Sequence, residues 1–132
     1  MKNELDILQR GIVELENSSF LTYEHVKKLK NLSGVYMVFD GDEIIYIGST
    51  KNFYVRFGTD LKHKSTHTLN NKLLIEKGNL DEVSEILKKK FRYKVKICNN
   101  MLMAESLEHF AIWVYKPRYN KYLYTKNSKN EK

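Results

Sequence analysis

Cysteine, proline and tryptophan each occur once in the 132 residues, and no apolar run approaches the ~20 residues that a bilayer-spanning helix requires. One cysteine excludes an internal disulfide framework and a Cys-rich zinc module; Cys98, in RYKVKICNN, reads as a strand position and not as an activated thiol. The one proline, Pro117, lies too late to mark a linker between halves, and no internal repeat is present, so one domain is expected. The N-terminal MKNELDILQR carries acids where a signal peptide needs a basic start, which leads to the expectation of a cytoplasmic protein without a membrane partner. What the chain does have is charge and aromatics. Lys and Arg number 23 against 16 Asp and Glu, a net charge of +7, with nine Tyr and six Phe interleaved. A field of that sign attracts polyanions, and the aromatic interleaving favours nucleic acid over a membrane surface.

Along the chain, Leu5, Leu8, Ile12 and Leu15 form a helical stripe interrupted by Gly11. Ser18, Ser19 and Thr22 offer caps for a second short helix that ends in Lys27, Lys28 and Lys30, basic residues suited to a helix C-terminus. From Ser33 the pattern becomes strand-like on both sides of Asp40-Gly41-Asp42, a hairpin signal. Ser49 or Thr50 is a candidate cap for a helix carrying Phe53, Arg56 and Phe57. Leu69 to Ile75 and Asp81 to Lys90 read as helices. Phe91 to Cys98 alternates as a third strand, with Phe91, Tyr93, Val95 and Ile97 on one face. Met101 to Tyr115 is the most apolar helix. The expected fold is α+β: a small, mostly antiparallel three-stranded sheet flanked by helices, with residues 1–32 as an N-terminal helical extension, 33–120 as the central domain and 121–132 as a polar tail.

The hairpin register decides which aromatic side chains share a face. A three-residue loop over 40 to 42 pairs Tyr36 with Tyr46 and Gly34 with Gly48, giving two phenols beside a clearing without side chains, where a backbone or ligand can approach. A two-residue turn instead sends the tyrosines to opposite faces.

Gly34-Val35-Tyr36 and Tyr46-Ile47-Gly48 resemble the two halves of the motif that names the GIY-YIG nuclease superfamily, with Val35 in place of the usual Ile. Arg56, ten residues after Tyr46, stands where the family has its helix arginine. Glu108, in ESLEHFAIWVYKPRYN, matches the family's helix-borne glutamate, and Pro117, Tyr119 and Asn120 match its closing segment. The resemblance runs from Gly34 to Asn120. It implies an endonuclease that hydrolyses DNA phosphodiesters with one divalent cation, Mg²⁺ or Mn²⁺, on Glu108, with Tyr36 as the base and Tyr46 holding or polarising the site.

The residue types suit that chemistry. Phosphodiester hydrolysis requires a deprotonated water, neutralisation of charge growing on the phosphoryl oxygens, and stabilisation of a departing alkoxide. A helix-borne carboxylate is a good Mg²⁺ anchor, because this ion keeps most of its waters. Glu105, three residues before Glu108, reads as a surface acid. Arg56 offers a planar fork to a phosphate. A tyrosine, with a pKa of about 10, needs nearby positive charge to serve as a base. Asn120 can orient only through hydrogen bonds, which favours a structural role.

The pattern departs from the family at two further places. Asp60 stands where many members carry His or Tyr; it can accept the phenol's hydrogen bond or add a negative charge that raises the phenol's pKa. His63 and His67 can supply the missing imidazole, and their spacing also resembles a helical zinc pair, but with no third ligand in view DNA or solvent contact is favoured. Ser49 occupies a position where some relatives place Lys, leaving Lys51 as the nearest candidate for that charge. These departures keep open a DNA-binding or interaction module of the same fold without turnover. A basic protein that stacks RNA bases on exposed aromatics of the third strand is disfavoured, because the alternation there reads as core. Either a monomer or a homodimer is compatible with the sequence.

Overall fold

A computed structural model of the chain describes residues 3–58 and 68–124. Strands β1 (Ser33–Asp40), β2 (Glu43–Thr50) and β3 (Arg92–Cys98) form an antiparallel sheet in the order β2-β1-β3. Two helical layers cover it. Helix α1 (Glu4–Asn17) and helix α6 (Met101–Tyr115) close one face over Val35, Met37, Phe39 and Ile47. The other face, carrying Tyr36, Val38, Tyr46 and Tyr93, is covered by α2 (Tyr23–Lys27), α3 (Phe53–Gly58), α4 (Thr68–Lys77) and α5 (Leu80–Glu85). The expected α+β fold is thus the observed one.

Local chemistry accounts for the element limits. Asn3, Thr22, Asn79 and Asn100 cap α1, α2, α5 and α6 through side-chain oxygens that accept from backbone N–H groups of the first turn, and Thr22 forms a capping box with His25. Gly11 does not interrupt α1. It is buried inside the helix, where an added Cβ would lie 3.0 Å from a Leu107 methyl, so it permits close approach to α6. The helix expected over 81 to 90 is α5 continued by a π-helical turn, Ile86–Lys90. Helix α6 ends at Lys116, which adopts the left-handed conformation at φ 48°. The third strand forms where expected, but its burial does not alternate as expected: on the face of Phe91, Tyr93, Val95 and Ile97, Tyr93 is enclosed while Ile97 is exposed, and Cys98 at the strand end is buried.

The hairpin corrects the expected register. The loop has two residues, Gly41 and Asp42, with Gly41 at φ +64°, and Asp40 pairs with Glu43. A two-residue loop alone would part the tyrosines, but the register shifts by one between Val38 and Phe39. That bulge reverses the parity. Tyr36 therefore pairs with Gly48, and Val38 with Tyr46. The two tyrosines are diagonal neighbours on one face with ring centroids 6.2 Å apart.

The glycines do not floor an open clearing. An added Cβ on Gly48 would lie 2.6 Å from the Tyr36 hydroxyl oxygen, so the Tyr36 ring itself fills that space. Gly34 pairs with Thr50, and its missing Cβ admits the Lys96 carbonyl of β3, 2.1 Å from where that atom would be.

Candidate active site

Arg56 is placed by its helix neighbours. Phe53 and Phe57 bury one side of α3 against the aromatic cluster, with the Phe57 ring 5.1 Å from Tyr36 and 5.6 Å from Tyr93. The helix is fixed at both ends. At its start Asn52 Oδ1 accepts from the Tyr54 N–H at 3.1 Å, and at its end the Tyr23 hydroxyl donates to the Phe57 carbonyl at 2.7 Å. Asn52, not Ser49 or Thr50, therefore caps α3; Thr50 is buried and holds the Asn52 backbone. So supported, Arg56 directs Nη1 to 3.5 Å from the Tyr36 hydroxyl.

Glu108 approaches from the opposite layer. It is half-buried on α6, which packs on β1 and β2. Ser49, directly after Gly48, donates its hydroxyl proton to Glu108 Oε1 at 2.6 Å. Consecutive residues of β2 face opposite sides of the sheet. Gly48 accordingly meets Tyr36 on one side while Ser49 meets Glu108 on the other. The edge strand thereby meets the phenol, with the guanidinium beside it, on one face and the carboxylate on the other.

Tyr36 is 0% exposed. Burial pushes its phenol well above the ordinary range and Tyr46 adds to the rise, whereas Arg56 favours ionisation and Glu108 opposes it. Burial also pushes the Glu108 carboxyl up, against the Ser49 hydrogen bond and the charges of His109 and Arg56; Glu105 adds to the rise. A carboxylate held partly out of water with one hydroxyl beside it fits a bound cation, which would offset the cost of keeping it charged. The donor set is one half-buried carboxylate, which suits a hard ion that retains most of its water. Among the described residues no three His, Cys, Asp or Glu gather into a metal cluster.

Asn120 is buried beside the outer edge of β2. Its Oδ1 accepts from the Ile47 N–H at 2.8 Å and its Nδ2 donates to the Ile47 carbonyl at 3.0 Å, as a neighbouring strand would. Tyr119, next to it, donates to Glu76 of α4 at 2.7 Å. Lys51 is exposed in the turn between β2 and α3. Asp60, His63 and His67 lie outside the described residues. Sequence reasoning missed Ser49 as the partner of Glu108 and His109 as a charge beside it; their place against the motif, directly after Gly48 and directly after Glu108, was the available signal.

The chain belongs to the GIY-YIG catalytic domain family, whose model matches residues 32–122. It is similar to UvrABC system protein C of Fervidobacterium nodosum, with 33% identity over 100 residues, covering 76% of this chain and 15% of that protein. The chain thus spans a small part of that relative's length. In fold it resembles two tyrosine-to-phenylalanine point mutants of the GIY-YIG N-terminal endonuclease domain of UvrC from Thermotoga maritima. Each of those is bound to its catalytic divalent cation. One matches at 20% identity over 73% of this chain and 90% of that one, the other at 19% over 73% and 91%, both with a TM-score of 0.50. No helix among the described residues is long and apolar enough to cross a membrane.

Proposed function

We propose that this chain is a metal-dependent endonuclease module that hydrolyses DNA phosphodiester bonds at the β2 edge. The observation that carries the reading is the convergence of Tyr36, Arg56 and Glu108 around Gly48 and Ser49, in a chain of the GIY-YIG family. Glu108 would hold one Mg²⁺ or Mn²⁺, which when bound supplies Lewis-acid charge for the phosphoryl oxygens and the leaving group.

The chain's own residues do the rest. Arg56 presents its guanidinium fork to the scissile phosphate while one of its nitrogens keeps the Tyr36 hydroxyl in place. Base duty at Tyr36 requires the phenolate, which burial opposes and Arg56 favours, so the arginine binds the phosphate and also works against the rise in proton affinity that burial imposes. Tyr46, packed diagonally, holds the Tyr36 ring. Ser49 orients the Glu108 carboxylate, and Asn120 fixes the β2 backbone that carries both contacts. Hydrolysis delivers hydroxide to phosphorus and a proton to the departing sugar oxygen.

Incubation of the full chain with supercoiled plasmid and with branched DNA, in Mg²⁺, Mn²⁺ or chelator, tests this reading. Metal-dependent nicking is expected. DNA binding with no nicking of any substrate in either metal would leave a non-cleaving binding module of the same fold.

A further inference from the structure

Helix α2 precedes the family match, which begins at residue 32, yet it is latched onto the helix that carries Arg56. The Leu29 carbonyl accepts from the Tyr54 N–H at 3.2 Å and the Leu32 carbonyl from the Phe53 N–H at 3.1 Å. Asn31, at φ 60°, donates its backbone N–H to Asn52 Oδ1 and accepts from Asn52 Nδ2. With the bond from Tyr23 of α2 to the Phe57 carbonyl, these contacts tie α2 and the segment that follows it to both ends of α3.

The latch brings charge with it. Lys30 Nζ stands 5.0 Å from the centre of the Tyr54 ring, and Lys27 Cε lies 3.9 Å from where a Cβ on Gly58 would be. Tyr54 and Gly58 are four residues apart and share one flank of α3. Lys27 and Lys30 therefore line that flank, with Lys28 exposed beside them. Arg56 leaves α3 from the other flank, toward Tyr36. The outward surface between them is open, with Tyr54 44% and Val55 59% exposed. Lys27, Lys28 and Lys30 have no ion pair among the described residues, and Glu24 is the one acid in the segment from Tyr23 to Leu32.

We infer that Lys27, Lys28 and Lys30 form a DNA-phosphate-binding ridge, so that the segment ahead of the family domain supplies the affinity for the strand that Arg56 engages. This rests on the DNA-hydrolysis reading of the site. A strand laid across α3, a helix about 10 Å wide, spans about three phosphates at 3.4 Å of axis each. It would meet the lysines on one side and Arg56 on the other, with the Tyr54 ring beneath it.

The test is DNA binding in chelator by the full-length Glu108→Gln chain, read by fluorescence anisotropy of a short labelled duplex over a range of salt concentrations. Each phosphate contact contributes about 0.9 to the slope of log K against log salt. The Lys27→Gln/Lys28→Gln/Lys30→Gln variant should lose about two to three from that slope. Lys77→Gln/Lys88→Gln/Lys89→Gln, which removes the same charge from the α4 and α5 side, should lose less than about one. The Lys28→Gln/Lys30→Gln pair, which leaves the half-buried Lys27 in place, should lose about two. Equal losses from ridge and control would show that net charge alone governs binding and overturn the inference; an unchanged slope in the ridge variants would do the same. Neither result bears on nicking by the unsubstituted chain, so the ridge and the nuclease reading fail separately.

Discussion

The Ser49 hydroxyl and Glu108 Oε1 are joined across the sheet edge by a hydrogen bond of 2.6 Å. A donor so close to a carboxylate fixes its rotation and occupies one of its oxygens. Partners of this kind behind a metal ligand typically carry about 10–100-fold in affinity. Ser49→Ala should therefore weaken Mn²⁺ binding by about tenfold or more, read by titration calorimetry without DNA. Ser49→Thr, which keeps the hydroxyl, should restore most of it. Equal Mn²⁺ affinity in all three proteins would show that the bond does not position Glu108.

Gly48 faces the Tyr36 phenol, and an added Cβ would sit 2.6 Å from its oxygen and 2.7 Å from Cζ. Both atoms belong to a ring packed among Tyr46, Phe53 and Phe57, which has little room to yield. Gly48→Ala should cost about 1–3 kcal/mol of stability by overpacking, and should lower nicking more than a variant of equal stability elsewhere in the core. Urea unfolding beside a nicking assay measures both, and an unaltered denaturation midpoint would show that the ring moves freely.

The sequence makes the hairpin legible but not its register. Residues 35 to 39 and 44 to 47 are apolar throughout, because β1 and β2 are covered on both faces, so no alternation betrays parity. The bulge that aligns Tyr36 with Gly48 leaves no mark in such a pattern. Helix α6 was readable to its limits, since Asn100 caps it and its apolar run ends before Pro117. Arg56 and Glu108 were singled out only through the resemblance to the family's motif. Ser49 was less legible, because a serine at a strand end reads equally well as a helix cap; its place directly after Gly48 was the one signal, and the packing of α6 on β2 shows which partner it takes.

Asn120 satisfies both backbone groups of Ile47. Asn120→Ala would leave a buried N–H and a buried carbonyl without partners, at about 1–3 kcal/mol each. Thermal melting should fall accordingly, with loss of hydrogen-exchange protection concentrated at Ile47. Protection unchanged at that amide would show that β2 does not depend on the clamp.

Three phenols in the aromatic cluster are raised by burial: Tyr23 to about 12, and Tyr36 and Tyr93 well above the ordinary value. Folding thus favours the neutral phenol. That contribution is complete below the unfolded pKa of 10.0 and, for Tyr23, is lost as pH rises from there through about 12. On the alkaline side the melting temperature should fall as pH rises past 10, and the fall should be shallower in Tyr23→Phe. Identical alkaline profiles for the two proteins would remove Tyr23 from the account.

The proposed role of Glu108 is to carry the divalent cation on which DNA hydrolysis depends. It is tested most directly by nicking of supercoiled plasmid in Mg²⁺ by the unsubstituted chain and by Glu108→Gln, with both melting curves measured beside it. The account predicts metal-dependent nicking that chelator abolishes. In Glu108→Gln it predicts a loss of at least about 10²-fold, the scale of removing one element of electrostatic stabilisation, with the fold retained. Nicking by a folded Glu108→Gln protein at the unsubstituted rate would contradict it.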